Sequence, residues 1–177
     1  ETLQTLAKLS PDYISVTYGT GSNLGFSKTL ELASAVKNKL NTESVAHLPC
    51  SNLSKENIVN ILNMLKANNI DNILALRGNA APSQTSDFKH ADEVISFINS
   101  IGGFNISAAC YPEGHPESES IVSDINYLKR KVEAGAGMLI SQLFLDNNYF
   151  YRFLERISLA GIDVPVQAGI MPVTNKK

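Results

Sequence analysis

The sequence lacks a surplus of charge of either sign, and it has few cysteines and no long apolar run. Fifteen Lys and Arg residues nearly balance seventeen Asp and Glu residues, for a formal net charge of −2 at pH 7. A chain so close to neutral has no strong field to attract nucleic acid or an anionic membrane surface. Its only cysteines, Cys50 and Cys110, argue against a disulfide framework and favour reduced thiols in the cytoplasm. Since neither a signal peptide nor a run of about eighteen apolar residues occurs, the sequence predicts neither secretion nor a membrane span.

Several motifs of nucleotide-binding, hydrolytic and metal-binding proteins are also missing. The G-x-G-x-x-G pattern of dinucleotide-binding sheets fails, because Leu24 occupies the position of its third glycine. Neither the G-K-S or G-K-T of a P-loop nor the G-x-S-x-G of a nucleophile elbow occurs. His47 with Cys50, and Cys110 with His115, lack the paired spacing of a structural zinc site, so no metal is predicted.

What the sequence does contain is a regular alternation of strands and helices. Strands are predicted at residues 13–18, 44–48, 72–76, 104–110, 137–144 and 164–170, and helices at 1–9, 28–40, after Ser54, and at 91–101, 120–134 and 148–160. The strands recur about every 30 residues without a hairpin signal, which predicts a parallel sheet of βα units. An open doubly wound sheet and a (β/α)8 barrel both fit this alternation. The missing dinucleotide pattern counts against the open sheet.

Polar residues follow the predicted strands, and in a barrel they would meet at one mouth. The densest group lies in ISAACYPEGHPESE, residues 106–119, which fits either a buried strand that ends at a site or a stiff surface loop. His47 also fits a hydrogen-bonded core histidine. Cys110, inside a predicted strand, fits packing better than nucleophilic catalysis.

The segments SVTYG, LRG, AACYPEGHPE, LKRKVEAGA, SQLF and GIMPV occur in an order and spacing that resemble the methylenetetrahydrofolate reductase family over residues 11–175. The resemblance implies a (β/α)8 TIM barrel, of which this chain supplies about six βα units. It implies one catalytic barrel domain over residues 1–177 that is incomplete at both ends. The family's first strand, with its proton-donating glutamate, and its eighth strand have no counterpart here, so the catalytic residue stays unassigned.

The same resemblance implies which residues form the site. The positions implied to contact FAD are Tyr18, Thr20, His47, Arg77, Gly78, Asn79, His90, Ala91, Tyr111, His115, Asp124, Arg130 and Lys131, and those implied to meet nicotinamide or folate are Thr17, Asn79 and Gln142. Among the charged positions, Arg130 and Lys131 suit a pyrophosphate, and Asp124 suits hydroxyl groups.

The implied activity is the FAD-dependent reduction of 5,10-methylenetetrahydrofolate to 5-methyltetrahydrofolate. NADH or NADPH would give a hydride to FAD and leave before the folate takes that hydride, and the protein would be a cytoplasmic homo-oligomer. Asn79 stands where the family has an aspartate, so we expect a slow folate half-reaction. The alternative is a flavin-binding barrel relative that has no reductase activity and acts as a binding or regulatory protein.

Overall fold

The computed structural model describes residues 2–18, 25–51, 53–78, 87–172 and 174. The helices are α1 (Thr2–Ala7), α2 (Gly25–Ser34) with a π-helical continuation (Ala35–Lys39), α3 (Lys55–Ala67), α4 (Ala91–Ile101), α5 (Ile121–Glu133) and α6 (Asn147–Leu159). The strands are β1 (Tyr13–Val16), β2 (Glu43–Pro49), β3 (Asn72–Leu76), β4 (Asn105–Cys110), β5 (Met138–Ser141) and β6 (Val166–Gln167). Strands and helices alternate, as the sequence predicts.

The six strands form one parallel sheet in the order β1-β2-β3-β4-β5-β6. Each strand lies beside the one before it, as in a barrel, whereas a doubly wound sheet reverses its direction of growth at a switch point. The sheet also curls, and this brings the Tyr13 hydroxyl on β1 close enough to donate a hydrogen bond to Gln167 Oε1 on β6. The chain is therefore an α/β protein that forms part of a (β/α)8 barrel, which confirms the predicted fold.

The outer face of the sheet carries the apolar core. Ile73, Ile106 and Leu139 on this face are at most 4% exposed and pack against the apolar sides of the helices, such as Ile58 and Ile95. Burial of such side chains is the main source of folding free energy. Because side chains alternate along a strand, the neighbouring positions face the barrel interior, where the functional residues lie.

The predicted element bounds agree closely in the middle of the chain. The third strand and the helix at 91–101 are confirmed to the residue. Ser54 is confirmed as an N-cap, since its hydroxyl accepts a hydrogen bond from Asn57 N at 3.1 Å. Among the described residues, no helix is both long and apolar enough to cross a membrane.

The last two strands are shorter than predicted. β5 ends at Ser141, and β6 contains only Val166 and Gln167, in place of residues 137–144 and 164–170. Beyond these positions the Gly169 amide donates to the Ser141 hydroxyl at 2.8 Å. A side chain thus replaces a backbone carbonyl as the acceptor, and the ladder stops there.

Candidate functional site

A cleft of about 610 Å³ lies at the carboxyl ends of the strands. Residues at or just after the ends of β2, β3, β4 and β5, together with the starts of α4 and α5, form much of its wall. Ten of the predicted site residues line it: His47, Arg77, Gly78, His90, Ala91, Tyr111, His115, Asp124, Lys131 and Gln142. The structure therefore brings residues from separate βα units to the single mouth that the barrel predicts.

Three predicted site residues lie outside the lining of this cleft. The Thr17 carbonyl oxygen accepts a hydrogen bond from Thr29 Oγ1 at 3.0 Å, and the Tyr18 ring lies 6.3 Å from that of Phe26. Arg130 lies outside the lining because of its position on helix α5. It precedes Lys131 by one residue, which turns its side chain about 100° away around α5.

Arg130 forms an ion pair and a cation–π contact with two residues of the cleft wall. Its Nη2 lies 2.7 Å from Asp92 Oδ2, and its guanidinium lies 5.7 Å from the centre of the Tyr127 ring. Asp92 and Tyr127 themselves line the cleft. Arg130 therefore supports two lining residues from behind. The predicted positions Thr20 and Asn79 lie outside the described residues.

Helix α5 supplies one charged wall of the cleft. Asp124, Tyr127 and Lys131 line the cleft, and their spacing of three and four residues places them on one helix face. Ile125 and Leu128 on the adjoining side of the helix are buried in the core. The amphipathic pattern that folds the helix also aims its polar residues at the cleft.

Lys131 is a desolvated cation. Its ammonium donates a hydrogen bond to the Ala109 carbonyl oxygen at 3.0 Å, and within the described part of the chain it forms no ion pair with a carboxylate. Burial lowers the pKa of Lys131 below its usual value, while the charge of Asp124 partly opposes this. A largely desolvated ammonium with no carboxylate partner among the described residues is poised to bind an anionic group.

The segment that follows β4 is held firmly on α5. The Tyr111 and His115 rings meet edge to face with centres 4.6 Å apart, and burial raises the pKa of Tyr111. Asp124 Oδ2 accepts from the His115 amide at 3.2 Å, and Asp124 Oδ1 accepts from the Ser118 hydroxyl at 3.1 Å. The Glu117 amide donates to His115 Nδ1 at 3.1 Å. Residues 111–118 are therefore an ordered wall of the site, and the interpretation as a strand that ends at a site fits better than a detached surface loop.

Arg77 and Glu117 form an ion pair across the mouth of the cleft. Arg77 Nη1 lies 2.6 Å from Glu117 Oε2, and Nη2 lies 2.9 Å from Oε1, a bidentate arrangement. The hydrogen bonds and charge of the pair raise the pKa of Arg77 and lower that of Glu117. Both side chains line the cleft, so two opposite charges at its entrance neutralise each other.

Gly78 gives the cleft a wall of bare backbone. Its φ is +89°, and a Cβ there would lie 2.4 Å from Ser51 Oγ and 3.0 Å from Pro49 Cβ. Both the positive φ and the crowding favour glycine at this position. The end of β3 can therefore lie close to the connection between β2 and α3 and still leave room for a ligand on the other side.

His47 and Ser15 form a polar pair inside the barrel. Ser15 Oγ on β1 and His47 Nε2 on β2 are 2.6 Å apart, and both residues line the cleft. Burial lowers the pKa of His47, which keeps the imidazole neutral near pH 7. His47 is thus hydrogen-bonded, as a core histidine would be, and also part of the site.

Among the lining residues that the sequence analysis missed are Tyr13, Ser15, Asp92 and Tyr127. For β1 a signal was present, because Tyr13, Ser15 and Thr17 alternate with apolar Ile14 and Val16. This period of two places Tyr13 and Ser15 on the inner face. For α5, the helical spacing from Asp124 would have singled out Tyr127.

Neither of the two cysteines is suited to act as a nucleophile. Both are buried, and burial raises the pKa of Cys50 to about 11 and that of Cys110 to about 12. Each therefore stays a thiol near neutral pH, which agrees with a packing role for Cys110. Within the described ranges, no group of three or more His, Cys, Asp or Glu residues could hold a metal ion.

Comparison with known sequences connects this site to one family. A family model described as methylenetetrahydrofolate reductase matches residues 1–177. The 5,10-methylenetetrahydrofolate reductase of Escherichia coli (strain K12) is 36% identical over 175 residues, which cover 99% of this chain and 59% of that protein. Methylenetetrahydrofolate reductase (NADH) 1 of Arabidopsis thaliana is 36% identical over 194 residues, covering all of this chain and 33% of that protein. The chain thus spans less than two thirds of the length of these relatives.

Comparison with solved structures supports the fold alone. A putative lyase/mutase from Burkholderia cenocepacia J2315 superposes with a TM-score of 0.70 at 13% identity, over 99% of this chain and 66% of the other. A phosphonopyruvate hydrolase in complex with oxalate and Mg²⁺ superposes with a TM-score of 0.67 at 12% identity, over 94% of this chain and 62% of the other. At such low identities the likeness describes the barrel architecture and carries no activity with it.

Proposed function

Because the chain belongs to the methylenetetrahydrofolate reductase family, we propose that it supplies the ligand-binding cleft of a reductase. The reaction is the reduction of 5,10-methylenetetrahydrofolate to 5-methyltetrahydrofolate, with FAD as cofactor and NADH or NADPH as hydride donor. FAD, when bound, accepts the hydride from the nicotinamide and passes it to the folate. The residues of this chain bind and orient these groups and exclude water from them.

The observation that carries the proposal is the ammonium of Lys131 in the wall of the cleft, which pairs with no carboxylate in the part of the chain that the structure describes. Its donor chemistry fits the pyrophosphate of FAD, which would compensate the cost of burying the charge. Asp124 stands on the same helix face, and each of its carboxylate oxygens can accept a further bond, which fits the hydroxyl groups of a ribityl chain or ribose. Gly78 allows a planar ring to lie close to backbone.

The remaining cleft residues fit the orientation of heterocycles. Gln142, just after β5, is fixed by its own amide, which donates to the Cys110 carbonyl oxygen at 2.8 Å. Its exposed side-chain amide offers one acceptor and two donors, which suits the amide edge of a nicotinamide or pterin ring. The neutral His47 provides a polar group without adding charge near those rings.

The test uses the full-length protein. We expect it to purify with flavin absorbance or to acquire it on addition of FAD. Under anaerobic conditions NADH or NADPH should bleach that absorbance, and 5,10-methylenetetrahydrofolate should then restore it. Bleaching without restoration would favour the alternative of a flavin-binding relative without reductase activity. A protein that never binds FAD would contradict the proposal.

Two lysines on α5 provide a matched pair for the binding step. Lys131 and Lys129 are both half-buried and both donate to a backbone carbonyl oxygen at 3.0 Å, but only Lys131 lines the cleft. Lys131→Met should weaken FAD binding by about ten- to a hundred-fold, as expected for the loss of a charge-assisted contact. Lys129→Met should leave the dissociation constant of FAD within about two-fold. Fluorescence quenching of FAD on binding measures both.

A further inference from the structure

The ion pair of Arg77 and Glu117 lies at the mouth of the cleft and remains open to solvent. The Arg77 side chain is 43% exposed and the Glu117 side chain 63% exposed. A bidentate pair at such a position is well oriented but weak, because water and salt screen it. An anion that enters the cleft can therefore compete with Glu117 for the guanidinium.

The backbones on both sides of the pair are anchored independently of it. The Arg77 carbonyl oxygen accepts a hydrogen bond from Ser51 N at 2.9 Å, which fixes the end of β3. Glu117 is fixed through its own amide, which donates to His115 Nδ1, and through the bond from the His115 amide to Asp124. The two side chains can separate by rotation about their own bonds, without any rearrangement of the cleft.

The pair also controls the charge of the cleft. Arg77 and Lys131 line the same space, and the positive charge of Arg77 contributes to lowering the pKa of Lys131. Glu117 neutralises Arg77 and so relieves this repulsion as long as no ligand is present. Of these two cations, Lys131 is then the one that remains available for an incoming anion.

We propose that Glu117 is a specificity-determining residue that serves as an internal counter-anion for Arg77. Its carboxylate holds the guanidinium in the absence of a ligand, and an anionic group of the ligand takes its place on binding. Glu117 thereby reduces the affinity of the cleft for small anions, since a ligand must displace the carboxylate. The identity of that ligand as a dinucleotide rests on the proposed function, but the exchange itself does not.

The first measurement uses inorganic pyrophosphate as the probe. Isothermal titration calorimetry on the full-length protein, cleared of bound nucleotide, compares the wild type with Glu117→Gln. Glutamine keeps the shape and a hydrogen-bonding oxygen but removes the charge that competes with the probe. We expect pyrophosphate to bind the variant about two- to ten-fold more tightly. The dissociation constant of the variant should also rise more steeply with salt, because one more uncompensated cation takes part.

Two further variants separate this role from a merely structural one. Glu113→Gln removes an exposed carboxylate from the same segment, and no hydrogen bond or ion pair involves the Glu113 side chain within the described residues, so it should leave pyrophosphate binding unchanged. In an Arg77→Met background, Glu117→Gln should lose its effect, because the cation that it competes for is gone.

Weaker or unchanged pyrophosphate binding by Glu117→Gln would overturn the proposal, as would failure of pyrophosphate to bind either protein. Tighter binding that persists in the Arg77→Met background would overturn it too, since the effect would then be a general change of charge. A protein that shows the expected exchange but does not reduce methylenetetrahydrofolate would contradict the proposed function and leave the role of Glu117 standing.

Discussion

His47 shows how one residue combines a structural and a functional role. Its imidazole is held by Ser15 at 2.6 Å in the barrel interior, and burial keeps it neutral. Barrel interiors are usually filled by branched apolar side chains, and such a residue could occupy the position of His47. Because His47 titrates, this polar pair makes the free energy of unfolding depend on pH.

We predict that stability falls when the pH is lowered through the range just below 6.5, the ordinary pKa of histidine. The pKa of His47 is lower in the folded protein, so between the two pKa values the unfolded chain binds more protons and is favoured as pH falls. Above about pH 6.5 this contribution is constant. One such group changes the free energy of unfolding by at most about 1.4 kcal/mol per pH unit.

Chemical denaturation at a series of pH values measures this slope. His47→Gln should flatten it in the range just below about pH 6.5, because glutamine does not titrate. A slope that is the same in wild type and variant would show that His47 does not titrate differently in the two states.

At the residue scale, the sequence predicted where the site lies better than it predicted the contacts between individual side chains. The positions of His47 and Arg77 near strand ends were enough to bring them together in a barrel, whereas Lys131 was indicated by the family resemblance alone. The pairing of Arg130 with Asp92 depends on how α4 packs against α5, and no local sequence pattern predicts that packing. The family resemblance indicated both Arg130 and Lys131, and helical geometry is what separates the directions of their side chains.

At the scale of elements, α5 is the helix that connects stability with ligand binding. Its N-terminus is closed by reciprocal bonds: the Ser123 amide donates to Ser120 Oγ at 3.1 Å, and the Ser120 amide donates to Ser123 Oγ at 3.0 Å. α3 begins with a similar capping box at Ser54 and Asn57. Of these two helices, α5 alone carries residues that line the cleft.

This difference makes a matched experiment possible. Ser120→Ala and Ser54→Ala each remove one N-cap and should each lower the free energy of unfolding by about 1 kcal/mol. Only Ser120→Ala should also weaken FAD binding, because fraying of the first turn of α5 displaces Asp124. Thermal melts and FAD titrations of both variants test this. Equal loss of FAD affinity in the two variants would show that global stability, and not the position of α5, controls binding.

The elements that the sequence predicted best are those with strong local boundaries. The third strand is a short apolar run, and α4 ends at Gly102, whose φ is +77°. The shorter β6 could not be predicted in the same way. Its end is set by the bond between Gly169 and Ser141, residues that are close only after the sheet has formed.

At the scale of the whole molecule, the arc has two end strands. Within the described residues, β1 and β6 each pair with a strand on one side only. Unpaired strand edges bind other edges readily. We therefore predict that a polypeptide limited to these 177 residues associates with itself, and that the associated fraction rises with concentration.

Sedimentation velocity at several concentrations measures this association. Ala168→Lys places a charge at the exposed end of β6, leaves the bond between Tyr13 and Gln167 in place, and should reduce the association. Tyr151→Lys, at a 59% exposed position on α6 and outside both end strands, serves as the control and should leave it unchanged. A monomeric chain that melts cooperatively at every concentration would contradict the prediction.

The sequential order of the strands has a consequence for how the protein is made. Each strand from β2 to β6 pairs with the strand that precedes it along the chain, so each ladder closes a segment of only about 30 residues. Such local pairing favours rapid folding. A nascent chain can therefore add one βα unit after another in the order in which the ribosome releases them, and each finished strand becomes the template for the next.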